Sequence, residues 1–465
     1  MEFPYTAKVL EQSKVSPPSG SVPQTSLPLT PFDVAWLIFA PVQRLFFYKF
    51  PFSTTHFMDS ILPNLKHSLS ITLQHFYPLA GNIIWHPQSS KPEIMYVDGD
   101  SVIFTVAESD SDFDHLCGYH MRNTSEFHPL VPQLEPISKT VLPALALQVT
   151  IFPNSGICIG ININHVVADG KSSNHFMKSW ASVCGLGRGN ASLVLKSLPV
   201  YDRTSINDPK GVVMSFLKEM ETLKISRECL ILPHPFKIPI DKVLATFVMG
   251  QPEIERLKKW ITKRIIKKNK QVTELSFNLS AFVVTCAYVW VCLSKAITPN
   301  VLNEGREHFI CPIENRERVV PALPTTYFGN CLGACQALEN RKDLTDEDGV
   351  IVAAEAIGMA IQREKTKGLL QGSKSSDKTL ADFIAMASER IISIAGSPFL
   401  RVYDTDFGWG RPKKVEVISI SITGAMSLSE RSGGEVGIEV GLALKNEEMD
   451  AFASSFSETI KNLPE

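Results

Sequence analysis

Two apolar runs, ALALQVTIF at 144–152 and ICIGINI at 157–163, stand on either side of PNSG at 153–156. Runs rich in Ile, Val and Phe around a Pro-Asn-Ser-Gly turn specify a β-hairpin. The chain then leaves the second strand through NHVVADG at 164–170 and enters KSSNHFMKSWASVC at 171–184, where Phe176, Trp180 and Val183 share one helical face. Strand-like and helix-like runs alternate irregularly along the rest of the chain, so the expected class is mixed α/β.

Residues 55–75 read as a helix with Pro63 as a kink, and PLAGN at 78–82 ends it with turn chemistry. ATFVMG at 245–250 reads as a strand, and Pro252 opens a helix with Glu253 and Glu255 in its first turn. NLSAFVVTCAYVWVCLSKA at 278–296 reads as a buried helix capped by Ser280. KVEVISISI at 414–422 and EVGIEVGLAL at 435–444 read as a long hairpin around SLSER and Gly433-Gly434, followed by an amphipathic C-terminal helix. No internal repeat is visible. The Gly-, Pro- and Asp-rich stretch 185–240 reads as a linker. The expected units are an N-terminal domain at 1–190, a crossover linker at 191–240 and a C-terminal domain at 241–465.

The 46 Lys+Arg and 48 Asp+Glu nearly cancel, giving a formal charge of -2, which argues against a nucleic-acid binder that works by neutralising phosphates. No run of 18 apolar residues suggests a membrane span, and the first segment lacks the apolar stretch of a secretory signal. Nine scattered Cys without a CxxC suggest reduced thiols in the cytoplasm, with neither a disulfide framework nor a metal site. In that compartment the sequons at Asn123, Asn190 and Asn278 carry no weight.

Three patterns could carry chemistry. In His165-Val166-Val167-Ala168-Asp169-Gly170 a histidine leaves a strand into a loop, and Asp169 follows one turn later. A group with a pKa near 6.5 suits proton removal from a hydroxyl at neutral pH. The carboxylate could orient the ring or serve as a strut; HxxxD alone also arises by chance. Asp406-Phe407-Gly408-Trp409-Gly410 reads as a tight turn in which the Asp caps backbone N–H groups. The basic run 256–270 (Arg256, Lys258, Lys259, Lys263, Arg264, Lys267, Lys268, Lys270) could receive phosphates or be a solvated helix face. There is no GxSxG, no Walker loop, no GxGxxG after a strand and no HExxH, and Gly185-Leu186-Gly187-Arg188-Gly189 reads as a flexible tract. A metal-free base acting between two bound substrates fits what is left.

LPLTPFDVAWL near the start, YPLAGN at 77–82, NHVVADGKS at 164–172, ENRERVVPALPTTYFGNC at 314–331 and DFGWG at 406–410 together resemble the plant BAHD acyl-CoA-dependent acyltransferases. YFGNC at 327–331 resembles the branch acylating anthocyanin, flavonoid and other phenolic glucosides. Asn164, Asn82 and Glu314 depart from the commoner His, Arg and Asp. The resemblance implies a chloramphenicol-acetyltransferase-like fold: two similar-sized α/β domains with a solvent channel at their interface. It implies His165 as general base and Asp169 turned away to pair with Arg316. It implies Asp406, with Gly408 and Trp409, as a shape-keeping motif sometimes counted as a second acceptor, and Ser280, Ala281, Gly396 and Ser397 along the CoA channel. Acyl-CoA is then a co-substrate, with no tightly bound cofactor and no metal. The partners are small molecules only, without nucleic acid or membrane, and a cytoplasmic monomer is expected. Malonyl-CoA is the favoured donor, with Lys171 as the cation for its carboxylate; a coumaroyl or caffeoyl donor is the alternative. A non-catalytic member binding CoA or a phenolic ligand, and an unrelated interaction protein, are the competing readings.

Overall fold

The computed structural model describes residues 6–185, 197–225, 239–268, 274–296, 305–366, 380–386 and 389–461. The predicted hairpin is its clearest element. Strands Leu145–Phe152 and Gly156–Ile163 pair antiparallel, with Ile159 opposite Val149, and are buried along their whole length. Gly160 is required there: a Cβ would stand 2.3 Å from the Leu130 carbonyl oxygen. The hairpin lies at the centre of a six-stranded sheet in the order Lys8–Val15, Val102–Glu108, Leu145–Phe152, Gly156–Ile163, Val42–Lys49, Lys414–Val417. Helices Leu62–His75 and Gly170–Gly185 pack on each other, and the Trp180 indole donates to the Leu65 carbonyl at 3.2 Å. The irregularity expected at Pro63 falls just before it, as a widened turn at Phe57–Ile61. Pro63 sits in the first turn of the regular helix, where its missing N–H costs nothing.

A seven-stranded sheet runs Leu332–Asn340, Arg306–Glu314, Arg390–Gly396, Met426–Glu430, Gly437–Lys445, Lys242–Gly250, Arg122–Asn123. Helix Ala281–Ala296 is buried around its circumference, and Ser280 caps it by accepting from the Val283 N–H at 3.3 Å. Helix Gln251–Lys268 buries Ile254, Leu257, Ile261 and Ile265. Its basic residues lie on the other side: Lys258 pairs with Glu255, Arg264 pairs with Glu347, and Lys259, Lys263, Lys267 and Lys268 are exposed. Lys270, Cys229, Asn190 and residues 186–189 fall outside the described residues. Among those described, no helix is long and apolar enough to cross a membrane, and no group of His, Cys, Asp or Glu could hold a metal ion.

Two local expectations need correction. Residues 414–422 are not one strand of a hairpin. Lys414–Val417 pairs with Val42–Lys49 in the six-stranded sheet, Ile420–Thr423 is a helical turn ended by Gly424 at φ 70°, and Met426–Glu430 is the antiparallel partner of Gly437–Lys445. The alternating Ile-Ser pattern looks like a strand, but the buried charges at Lys414 and Glu416 find partners only between the sheets. There Glu416 accepts from Arg122 at 2.9 Å and Lys414 reaches Glu439 at 3.1 Å, while Tyr119 and Tyr403 donate to Glu439 at 2.6 and 2.7 Å. The second correction lies in the 185–240 stretch, which contains helix Val212–Thr222. Asp208 accepts from the Val212 and Val213 N–H groups, and Val213, Leu217 and Met220 enter the core of the six-stranded sheet.

Candidate active site

The central hairpin delivers the HxxxD loop. The Asn164 N–H still donates to the Ala144 carbonyl at 2.9 Å, which extends the strand, and then the chain turns. The Asn164 side-chain oxygen accepts from the Val166 N–H at 3.1 Å, an Asx turn that throws His165 off the sheet end. Asparagine at this position therefore has a local job. Asp169 closes the loop by accepting from the Ser172 N–H at 2.9 Å, which caps helix Gly170–Gly185.

His165 is half-buried, with its Nδ1 shielded from solvent and without a well-aligned hydrogen bond. Burial lowers its pKa below the ordinary 6.5, against the opposing pull of Asp169, Asn330 and Asp33. The imidazole is thus neutral at physiological pH and free to take a proton. Its ring lies on the Trp36 indole, with centroids 3.6 Å apart and planes 5° from parallel.

Asp169 turns away from that ring. Its second carboxylate oxygen lies 2.9 Å from Arg316 Nη2 and accepts from the Cys331 N–H at 3.1 Å, with both charged side chains fully buried. Arg316 also donates to the carbonyls of Tyr327 and Gly329, to Ser172 Oγ and to both Glu314 oxygens. Burial opposes its charge, but Asp169 and Glu314 outweigh burial and raise its pKa. Lys171 Nζ, partly exposed, lies 3.5 Å from Glu314 Oε2, an oxygen that also accepts from Arg316 at 3.0 Å.

A third support comes from the YFGNC segment. Asn330 Nδ2 donates to the His165 and Val166 carbonyls at 2.9 and 3.0 Å and to Asp33 at 3.0 Å. Asp33 in turn accepts from the Thr30 N–H and hydroxyl and from Arg203. Asp33, Trp36, Ser172 and Asn330 were not singled out by sequence reasoning. The one signal for them was the presence of LPLTPFDVAWL, NHVVADGKS and YFGNC among the matching motifs.

DFGWG stands apart from this network. Exposed Asp406 accepts from the Gly408 and Gly410 N–H groups at 2.8 and 2.9 Å, the capping its turn chemistry suggested. Gly408 and Gly410 have φ of 97° and 92°, a region other residues rarely enter. Phe407 packs edge-on against Trp180 at 4.9 Å, and Trp409 packs on Tyr48 and Phe50. Gly396, at φ 89°, pairs with Leu428, and a Cβ there would meet the Leu428 carbonyl oxygen at 2.7 Å. Ser397 accepts from the Phe399 N–H at 3.3 Å, so Ser280 and Ser397 both serve as caps where the CoA channel was expected.

Two sheets tied by exchanged strands place a half-buried histidine at the end of the central hairpin, beside a carboxylate that is engaged by an arginine. The Transferase family model matches residues 9–459, and the chain belongs to that family, the BAHD acyl-CoA-dependent acyltransferases. It is 38% identical to a malonyl-coenzyme A:anthocyanin 3-O-glucoside-6''-O-malonyltransferase of Dahlia pinnata, over 98% of this chain and 97% of the relative. It is 37% identical to coumaroyl-CoA:anthocyanidin 3-O-glucoside-6''-O-coumaroyltransferase 1 of Arabidopsis thaliana, over 98% and 97%. Vinorine synthase shares the fold, with a TM-score of 0.68 at 19% identity over 96% of each chain. The fold is thus the expected two-domain α/β type, the protein is an enzyme, and its substrates are small molecules.

Proposed function

We propose that this enzyme moves an acyl group, malonyl in the first place, from its CoA thioester to a sugar hydroxyl of an anthocyanin or other phenolic glucoside, with His165 as the base. The observation that carries the reading is the state of His165: a neutral imidazole at a strand end, with the motif's carboxylate engaged by Arg316. His165 takes the hydroxyl proton as the oxygen attacks the thioester carbonyl. The tetrahedral adduct collapses, the C–S bond breaks, and the imidazolium returns the proton to the departing thiolate. Holding both substrates against one base replaces a covalent intermediate.

A malonyl donor ends in a carboxylate that must meet a cation or several N–H donors. Lys171 is the cation offered, and it must share itself with Glu314. A hydroxycinnamoyl donor is the second reading, supported by the nearly equal identity to the coumaroyltransferase. The enzyme is read as a cytoplasmic monomer, a reading that rests on the scattered cysteines of the sequence being reduced thiols. The test is a panel of acyl-CoAs against flavonoid glucosides with products identified by mass, run beside His165→Ala. The variant should lose about 10²–10⁴ in turnover, the usual worth of general-base catalysis, while melting as the parent does. Near-parental turnover would remove His165 from the role, and a preference for coumaroyl-CoA would replace the malonyl reading.

A further inference from the structure

A histidine base needs its ring held in one orientation. In a Ser-His-Asp triad a carboxylate does this by accepting from the imidazole Nδ1–H. Here, among the described residues, no carboxylate reaches the ring: Nδ1 makes no well-aligned hydrogen bond, only the Asn330 side chain and the residue's own backbone act on the imidazole as hydrogen-bonding groups, and the motif's carboxylate is spent on Arg316, Cys331 and the helix cap. Something else must fix the ring.

The 3₁₀ turn Val34–Ile38 touches the HxxxD loop at two points. Asp33, at its start, holds Asn330, whose amide holds the His165 and Val166 carbonyls. Trp36, within the turn, covers one face of the imidazole at 3.6 Å, and Phe39 leans on Trp36 at 5.2 Å. The turn itself is anchored: Val34 and Leu37 are buried, and Asp33 is gripped by Thr30 and Arg203. The backbone and the ring of His165 are therefore placed by the same short segment.

We propose that Trp36 is the positioning residue of the reaction: it holds the His165 imidazole in one plane and its indole face stabilises the imidazolium formed when the hydroxyl proton is taken. An indole is the best aromatic partner for a cation, and the interaction strengthens where water is excluded. The stack thus favours the proton-loaded ring, the form present as the tetrahedral adduct develops, over the resting one. Asp33 and Asp169 also favour that form, and burial opposes it. Each of those carboxylates carries its own arginine, Arg203 and Arg316, so neither presents a bare charge to the ring. The proposal rests on His165 as the base.

The experiment compares Trp36→Leu, Trp36→Phe, Phe39→Leu and His165→Gln for kcat, both KM values and melting. Trp36→Leu should lower kcat by about 10–100-fold, as misplacement of a catalytic group does, with both KM values near the parent's. Trp36→Phe should recover most of the loss, because a flat face remains, and Phe39→Leu should change little. Fluorescence gives an independent reading, since an imidazolium stacked on an indole quenches it. The parent should show a pH-dependent step that is missing from Trp36→Phe and from His165→Gln. Should Trp36→Leu melt early, Trp36→Phe and the fluorescence step decide. The proposal is overturned if Trp36→Leu keeps parental kcat, if it raises acceptor KM alone (a substrate wall), or if Trp36→Phe falls as far as Trp36→Leu. A fully active His165→Gln that still abolishes the step would leave the stack standing and defeat the base assignment instead.

Discussion

Asp169→Asn tests whether the motif's carboxylate is a strut or a proton relay. In the parent it serves three neighbours: Arg316 at 2.9 Å, the Ser172 N–H at 2.9 Å and the Cys331 N–H at 3.1 Å. An amide oxygen can keep one N–H bond, but the amide cannot pair with Arg316. Removing one partner of a fully buried ion pair costs about 3–5 kcal/mol. Arg316 retains Glu314 at 2.8 Å, and that carboxylate is partly solvated, so the expected loss lies at the low end, about 3 kcal/mol. At about 2–4 °C per kcal/mol for a cooperative unit of roughly 150–250 residues, Tm should fall by about 6–12 °C. Turnover measured below the transition should fall less than for His165→Ala, because the base itself is intact. Differential scanning calorimetry with steady-state kinetics separates the roles. A variant that melts with the parent yet is inactive would refute the strut and return Asp169 to the proton path. A double-mutant cycle with Arg316→Met should show strong coupling, since each side chain alone is left buried without its partner.

The kcat/KM profile should lose activity only as pH falls below the ordinary histidine value of 6.5, because burial holds the His165 pKa lower; an acid limb above 6.5 would contradict the neutral resting base. The same lowered value means the unfolded chain takes up that proton first, so this group's contribution to stability declines as pH drops from 6.5, a trend that denaturant melts at several pH values would detect. Asp406→Ala should cost about 1–2 kcal/mol by freeing two exposed N–H groups in the 408–410 turn, with the acid limb unmoved; a displaced limb would bring Asp406 into proton transfer. Lys171→Ala should lower kcat/KM for malonyl-CoA by about 1.5 kcal/mol, the low end for a charged hydrogen bond since Glu314 competes, and spare acetyl-CoA. Equal losses on both donors would make Lys171 a companion of Glu314 alone.

Sequence alone determined the elements whose burial is periodic and local. The 144–163 hairpin, the helix behind the HxxxD loop, the helix at 281–296 and its Ser280 cap, and the turn capped by Asp406 all follow from neighbouring residues. The family, and with it His165 and the Arg316 partnership, came from motifs that survive as short strings. Tertiary structure alone decided what depends on distant partners. Asp33 and Asn330 are 297 positions apart, and neither carries any mark of the other in its own stretch. The Trp36 stack is equally silent, because an aromatic residue in a short turn reads as core. Lys414–Val417 joined the first sheet rather than its sequence neighbours because its two charges could be buried only where Arg122 and Glu439 wait, and no local pattern encodes that meeting. A hydrophobic period reports which face of a segment is covered; which residues cover it, and so what holds His165 in place, is settled only when the two sheets close on each other.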